Sequence, residues 1–347
     1  MPPATSIAVA DLARWIDAPA SDGSTSRCDV DAARRFVHDW TRRHRENFPV
    51  LSALVPRGLR DDFAAVYAFC RAADDLGDEA GSPERAGRML AWWRDDLERA
   101  FGDAEPPRHP VFVALRATAH RRNLTVEPFR HLLDAFDQDQ RVSRYDTWAQ
   151  VEAYCRLSAD PVGRIVLRLF GAEEHDESLA ASDAVCTGLQ LANHWQDIRR
   201  DLVERDRIYV PAEAIAGPGA PFATVEEFES RLRRSIELGH GADREFMPQS
   251  RRMVRSLVER TWPCFDRGRD LLERLPGEAR PVVELFIEGG ELVLRRLEAW
   301  DFESVLHRPA VGRLAKAGLV ARAWIRSRFA RGADRGPTYP LRARARR

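Results

Sequence analysis

Lysine is almost absent from this sequence. Lys316 is the only one, so nearly all of the 54 Lys+Arg cations are arginine, a bias that a GC-rich genome explains without any chemistry. An excess of either charge is missing too: 54 Asp+Glu balance 54 Lys+Arg, for a formal net charge of zero. Dedicated nucleic-acid binders carry a net basic field, so no nucleic-acid partner is expected. Cysteine is sparse. Cys28, Cys70, Cys155, Cys186 and Cys264 are odd in number and lack CxxC spacing, which argues against a disulfide framework or a zinc site and points to a reducing cytoplasm. The opening MPPATSIAVADLARW lacks the basic stretch and apolar run of a secretory leader, so export is not expected. No window approaches ~18 uninterrupted apolar residues, so no spanning helix is expected either. Alternating polar and apolar stretches, the mark of half-buried strands, are also missing.

What is present is helical pattern. Apolar residues are 44% of the chain and charged residues 31%, enough for a large core in water. At about 150 residues per domain the length allows roughly two domains or one large one. Runs of Ala, Leu, Arg and Glu with apolar spacing of three and four predict helices over 30–45, 60–80, 84–101, 110–121, 127–138, 147–169 (broken near Pro161), 178–205, 224–238, 246–274, 278–298 and 310–330. Breakers between them are loop-length, as at Pro106–Pro107 and in PAEAIAGPGAP at 211–221, so one all-α domain over 30–330 fits better than two. Residues 1–29 read as largely disordered, and the Arg-rich stretch 331–347 as a solvated tail.

Two segments carry chemistry. In YAFCRAADDLGDE, residues 67–79, Tyr67, Arg71, Asp74 and Asp78 are spaced four, three and four and share one helix face. In LQLANHWQDIRRD, residues 189–201, Gln190, Asn193, Asp197 and Asp201 are spaced three, four and four. Each helix therefore holds a D-x-x-x-D pair, a like-charge spacing that destabilises an isolated helix by a few tenths of a kcal/mol. Asp266 and Asp270 repeat the spacing, but there Arg267 and Arg269 intervene and no polar stripe extends the pair, so a solvated surface suffices. In the first two segments the stripe runs four positions deep through apolar sequence, where an uncompensated carboxylate costs several kcal/mol. Hard oxygen donors select Mg²⁺ or Mn²⁺ over zinc, and Mg²⁺ characteristically bridges carboxylates to substrate phosphates. Arg71 and Arg207 either clamp those phosphates, which suits a planar guanidinium, or pair with neighbouring aspartates.

On these residues the chain resembles the trans head-to-head prenyl synthases, the squalene and phytoene synthase family. Four ordered blocks carry the resemblance across roughly residues 33–330: YAFCRAADDLGD at 67–78, YCRLSADPVG at 154–163, QLANHWQDIRRD at 190–201 and RIYVP at 207–211. ENFPVLSALVP at 46–56 and the N-x-W-Q-D form at 193–197 are similar to the hydroxysqualene synthase branch of bacterial hopanoid biosynthesis. Gly77 and His194 depart from the residues expected there, and neither removes a ligand.

The resemblance implies an isoprenoid-synthase-type helical bundle around a central apolar cavity. It implies Mg²⁺ ions, two or three with the substrate diphosphate, held by Asp74, Asp78, Asn193, Asp197 and Asp201. It places Arg71, Arg207, Asn193, Gln190 and Tyr67 near the diphosphate, and Tyr154 near the reacting carbons. Asp75 lies about 100° around the helix from Asp74 and ranks lower. The implied reaction converts presqualene diphosphate to hydroxysqualene with loss of diphosphate and no nicotinamide. The alternatives are a squalene or phytoene synthase condensing two farnesyl or geranylgeranyl diphosphates, and a non-catalytic helical scaffold. Phe48, Phe63, Tyr67, Leu157, Val162, Leu189, Leu285 and Phe286 are candidates for the cavity wall. The basic amphipathic pattern over 310–330 offers peripheral contact with the inner face of a membrane, and pathway enzymes of squalene formation are candidate partners.

Overall fold

Helix ends follow local chemistry. Ser82 accepts a hydrogen bond from the Arg85 amide at 3.3 Å, and Pro83 behind it occupies a position where a missing N–H costs nothing. Thr147 and Gln150 form a reciprocal capping box at the start of a second helix. Asn123 closes a third in the left-handed conformation, φ 51°.

The computed structural model describes residues 7–16, 29–43, 54–239, 243–310, 312 and 323. Its α-helices are α1 (Ile7–Ile16), α2 (Val30–Arg43), α3 (Arg60–Asp78), α4 (Pro83–Phe101), α5 (Pro110–Arg122), α6 (Glu127–Asp139), α7 (Trp148–Ser158), α8 (Asp160–Leu169), α9 (Asp176–Arg205), α10 (Ala212–Ala216), α11 (Val225–Leu238), α12 (Phe246–Arg274) and α13 (Arg280–Ala299). Among the described residues the only β pairing is an isolated parallel bridge between Arg144 and Ile208, so the chain is all-α as expected.

One difference from the sequence reading has a physical cause. Residues 7–16, inside the segment read as disordered, form α1: Val9, Ala13 and Ile16 share a face and pack on the core, and Trp15 meets the His109 ring edge-on at 5.2 Å. The break expected near Pro161 falls at Ala159 (φ −124°, ψ −53°), dividing 147–169 into α7 and α8 with Pro161 in the first turn of the second helix. Most of 310–330, all of 331–347 and residues 46–53 lie outside the described residues. Among the described residues no helix is long and apolar enough to cross a membrane.

The core has two parts. In one, Phe69 of α3 meets Phe129 at 5.2 Å while Trp93 and Phe112 lie 4.3 Å apart, joining α3 to α6. In the other, α9, α12 and α13 converge on Phe265, which occupies the room left by two glycines. A Cβ on Gly290 would stand 2.3 Å from its ring, and one on Gly188 3.2 Å. Trp195 of α9 is fully buried there and donates to Thr261 at 2.9 Å.

This packing positions the candidate site. Between Asp62 and Gly77, α3 is buried on every side except at Tyr67, Cys70, Arg71 and Asp74, a half-open stripe that Asp78 extends. A helix apolar around most of its circumference lies inside the molecule, and its one polar stripe is turned toward α9, whose Arg205 reaches Asp78. A separate apolar cavity of about 80 Å³ lies between α8, α9 and α13, lined by Val162, Gly163, Val166, Leu189, Val283 and Phe286 among others.

Candidate active site

The stripe on α3 forms as the spacing predicts, and its charges are all engaged. Arg71 Nη1 lies 3.2 Å from Asp74 Oδ2, and Nη2 lies 2.7 Å from Asp75 Oδ1. Asp75, ranked lower from sequence, is thus the inward partner that holds Arg71 against its own helix. The other stripe comes from α9, where the side chains of Asp197 and Asp201 are 12% and 13% exposed. Asn193 stands exposed and Gln190 half-buried on the same face.

Arginines bridge the two faces. Arg205 lies one turn beyond Asp201, with Nη1 3.6 Å from its Oδ1, and crosses to α3, where Nη2 is 2.9 Å from Asp78 Oδ2. Arg207 donates from Nη1 to Asp78 Oδ1 at 3.0 Å. The chain delivers it there because Asp206 ends α9 in the left-handed conformation (φ 51°) and the Ile208 amide donates to Ser143 O at 2.9 Å. Asp197 is paired with Arg308, from the segment after α13. Gln196 secures that segment by donating to Pro309 O at 2.7 Å.

The electrostatics are those of under-compensated acids. Burial, and then repulsion from Asp78, pushes the Asp74 carboxyl up to about 6 against the pull of Arg71. Burial and then Asp197 push Asp201 up to about 7. Asp74 keeps 42% of its side-chain surface accessible, and crowding by the surrounding protein is still the largest cause of its shift.

Among the described residues no three carboxylate, histidine or cysteine groups gather closely enough to hold a metal ion. The reason is visible: Arg205, Arg207 and Arg308 occupy the oxygens of Asp78, Asp201 and Asp197. The donor chemistry fits a hard divalent cation nonetheless. It consists of carboxylates on two facing helices, and of these Asp74 and Asp201 have their pKa values raised by burial first and by a like-charged neighbour second.

Tyr154 is buried against Tyr145 and Tyr209, and its hydroxyl leads to an acid with no periodic signal in the sequence. Its hydroxyl donates to Asp139 Oδ2 at 2.7 Å, and Tyr209 donates to Oδ1 at 3.1 Å. Arg207 Nη1 lies 3.7 Å from the same carboxylate. His194 stacks on Tyr209 at 3.8 Å, and burial holds it neutral, with its pKa lowered to about 3. Arg205 was legible, since it continues the 197, 201 series by one more turn. Asp139 sits in DAFDQD without a telling period, and Arg308 lies in irregular chain. Of the expected wall residues, Val162, Leu189 and Phe286 line the apolar cavity, Phe63 packs on Phe170 at 5.3 Å, and Phe48 lies outside the described residues.

Comparison with known proteins gives the same answer from another direction. Residues 41–315 match the family model for squalene/phytoene synthase. A hydroxysqualene synthase of Zymomonas mobilis is 34% identical over 197 residues, 55% of this chain and 64% of that protein. One from Rhodopseudomonas palustris is 39% identical over 184 residues, 52% of this chain and 60% of that protein. The aligned stretches thus span less than two thirds of these relatives. The crystal structure of a squalene synthase from Alicyclobacillus acidocaldarius superimposes with a TM-score of 0.68 at 39% identity, covering 80% of this chain and 97% of the other. The chain belongs to the squalene/phytoene synthase family.

Proposed function

We propose that this protein converts presqualene diphosphate to hydroxysqualene with release of diphosphate, in a Mg²⁺-dependent reaction that needs no nicotinamide. The observation that carries the reading is the pair of acidic faces on α3 and α9, bridged by Arg205 and Arg207, with Leu189 placing an apolar cavity one turn of α9 from Asn193. The names of the relatives support the product.

Asp74, Asp78, Asn193, Asp197 and Asp201 would hold the metal, which when bound neutralises charge on the departing diphosphate. The chain's own groups do the rest. Arg71, Arg205 and Arg207 exchange carboxylate partners for phosphate oxygens, an exchange available to planar guanidinium groups already aimed into the cleft. The wall formed by Val162, Leu189 and Phe286 is largely apolar; Ser182 and Cys186 also line it, and burial keeps the Cys186 thiol protonated, its pKa pushed up to about 12.

The test is incubation with presqualene diphosphate and Mg²⁺ without a nicotinamide, with products identified by mass spectrometry. Hydroxysqualene as the main product is the expected result. No turnover, together with consumption of farnesyl or geranylgeranyl diphosphate, would replace the reading with the two-substrate condensation. Retained in-cell function after Asp74→Ala and Asp197→Ala would favour a scaffold.

A further inference from the structure

Asp139 stands where the local forces oppose a carboxylate. It is the last residue of α6, at the negative end of the helix dipole. Its side chain is 7% exposed, and no cation reaches it at hydrogen-bond distance, the nearest being Arg207 at 3.7 Å. Its direct partners are two neutral hydroxyls, Tyr154 at 2.7 Å and Tyr209 at 3.1 Å. An arrangement serving stability alone would place an arginine or an amide here, because an offset buried ion pair is weak compensation for desolvation. Gln140, the next residue, fixes the location by donating to Gly77 O at 3.0 Å, which ties the end of α6 to α3 beside Asp78.

The hydrogen-bond directions have a chemical consequence. A tyrosine that gives its hydrogen to a carboxylate keeps its oxygen lone pairs to accept with, and with Tyr209 also hydrogen-bonded to Tyr154 one of them is left for a water. We propose that Asp139 is a positioning residue and proton acceptor that acts through Tyr154 to orient and deprotonate the water that captures the carbocation. The inference rests on the proposed reaction and supplies the group that reaction lacks. In the step, a C–O bond forms between the cationic carbon and the water oxygen. One water O–H breaks, its electron pair staying on oxygen and its proton passing to Tyr154 Oη. The original Tyr154 proton moves to Asp139 Oδ2, leaving a neutral tyrosine and a neutral acid. Burial lifts the Asp139 carboxyl to about 6, so it is charged and basic at neutral pH without being strongly held by a cation. The groups facing it are Tyr154 from α7, Tyr145 from the preceding loop, Arg207 and Tyr209 from the segment after α9, and Asp78 from α3.

The experiment compares wild type, Asp139→Asn, Tyr154→Phe and Asp139→Glu with presqualene diphosphate and Mg²⁺. It measures diphosphate release and alcohol formation separately. The expected result for the first two variants is diphosphate release within about tenfold of wild type, with alcohol formation about 100-fold slower, the range of a lost general base. Hydrocarbon formed by proton loss from carbon replaces the alcohol, and Asp139→Glu restores part of it. In wild type the alcohol fraction declines as pH falls below about 6, whereas in Asp139→Asn it is flat. The ratio isolates this step, because titration of Asp74 and Asp201 changes total turnover rather than its partition. An unchanged alcohol fraction in both variants overturns the inference. So does equal loss of diphosphate release and alcohol, which would assign Asp139 to holding Arg207. Wild type that makes no alcohol from presqualene diphosphate removes the reaction itself, and this role with it. Should Asp139→Asn fail to fold, Tyr154→Phe carries the same test.

Discussion

Gly163, at the start of α8, offers a sharp test of how α8 and α9 are packed. A Cβ added there would stand 2.4 Å from Ser182 Oγ and 2.7 Å from Cys186 Sγ, both one turn apart on α9. Real Cβ atoms do not approach that closely, so Gly163→Ala must rotate two side chains or push the helices apart. Overpacking of this kind costs about 1–3 kcal/mol. Against it stands the gain of about 0.5–1 kcal/mol from replacing a helical glycine. The net expectation is a loss of about 1–2 kcal/mol, read as a lower urea midpoint at unchanged slope. The decisive measurement repeats the substitution in a Ser182→Ala, Cys186→Ala background. With both obstacles gone, the next atom is Ser182 O at 3.6 Å, an ordinary contact. There Gly163→Ala should stabilise by up to about 1 kcal/mol. A change of the same sign in both backgrounds would refute the packing argument.

Other predictions follow from single contacts. Gly77→Ala should raise stability by about 0.5–1 kcal/mol in urea unfolding, because an added Cβ meets nothing nearer than Phe136 Cβ at 3.5 Å. Asp78→Ala removes the acid that Arg205 and Arg207 share at 2.9 and 3.0 Å, and diphosphate release should slow by about 10²–10³-fold while circular dichroism stays unchanged. Asp160 is 3% exposed, accepts from Thr187 at 2.9 Å and is lifted to about 7 by burial and then by Asp183. Its unfolded value is about 3.9, so it favours the folded state most below that pH, and the contribution is lost as pH rises through about 7. Wild type should therefore lose stability relative to Asp160→Asn between about pH 4 and 7 in paired denaturant melts, and the two curves should run parallel above that. Parallel curves for the two proteins within that window as well would contradict the assignment.

The helices and the two acidic stripes were legible because they rest on period. A spacing of three and four is a local property, and it placed Tyr67, Arg71, Asp74 and Asp78 on what is the one half-open face of α3. The charge partners were only half legible. Arg205 obeys the same period as Asp197 and Asp201, but its reach to Asp78 depends on how far apart α3 and α9 stand. Arg308 and Asp139 come from chain whose position is set by tertiary packing alone, through Gln196 on Pro309 O and Gln140 on Gly77 O. The short helix Ile7–Ile16 is not legible in the sequence because ten residues give too little pattern, and its stability comes from Trp15 and Val9 finding a surface to cover.

The near-exclusive use of arginine has an outcome for how the cleft answers acidity. Guanidinium keeps its proton at every pH a cell encounters. His194 is already neutral beside Tyr209. The basic side of the cleft is therefore a constant, and the acids alone carry its proton traffic. Acidification makes the cleft steadily more positive by protonating its aspartates, and a multivalent anion entering it would raise their proton affinity and take up further protons.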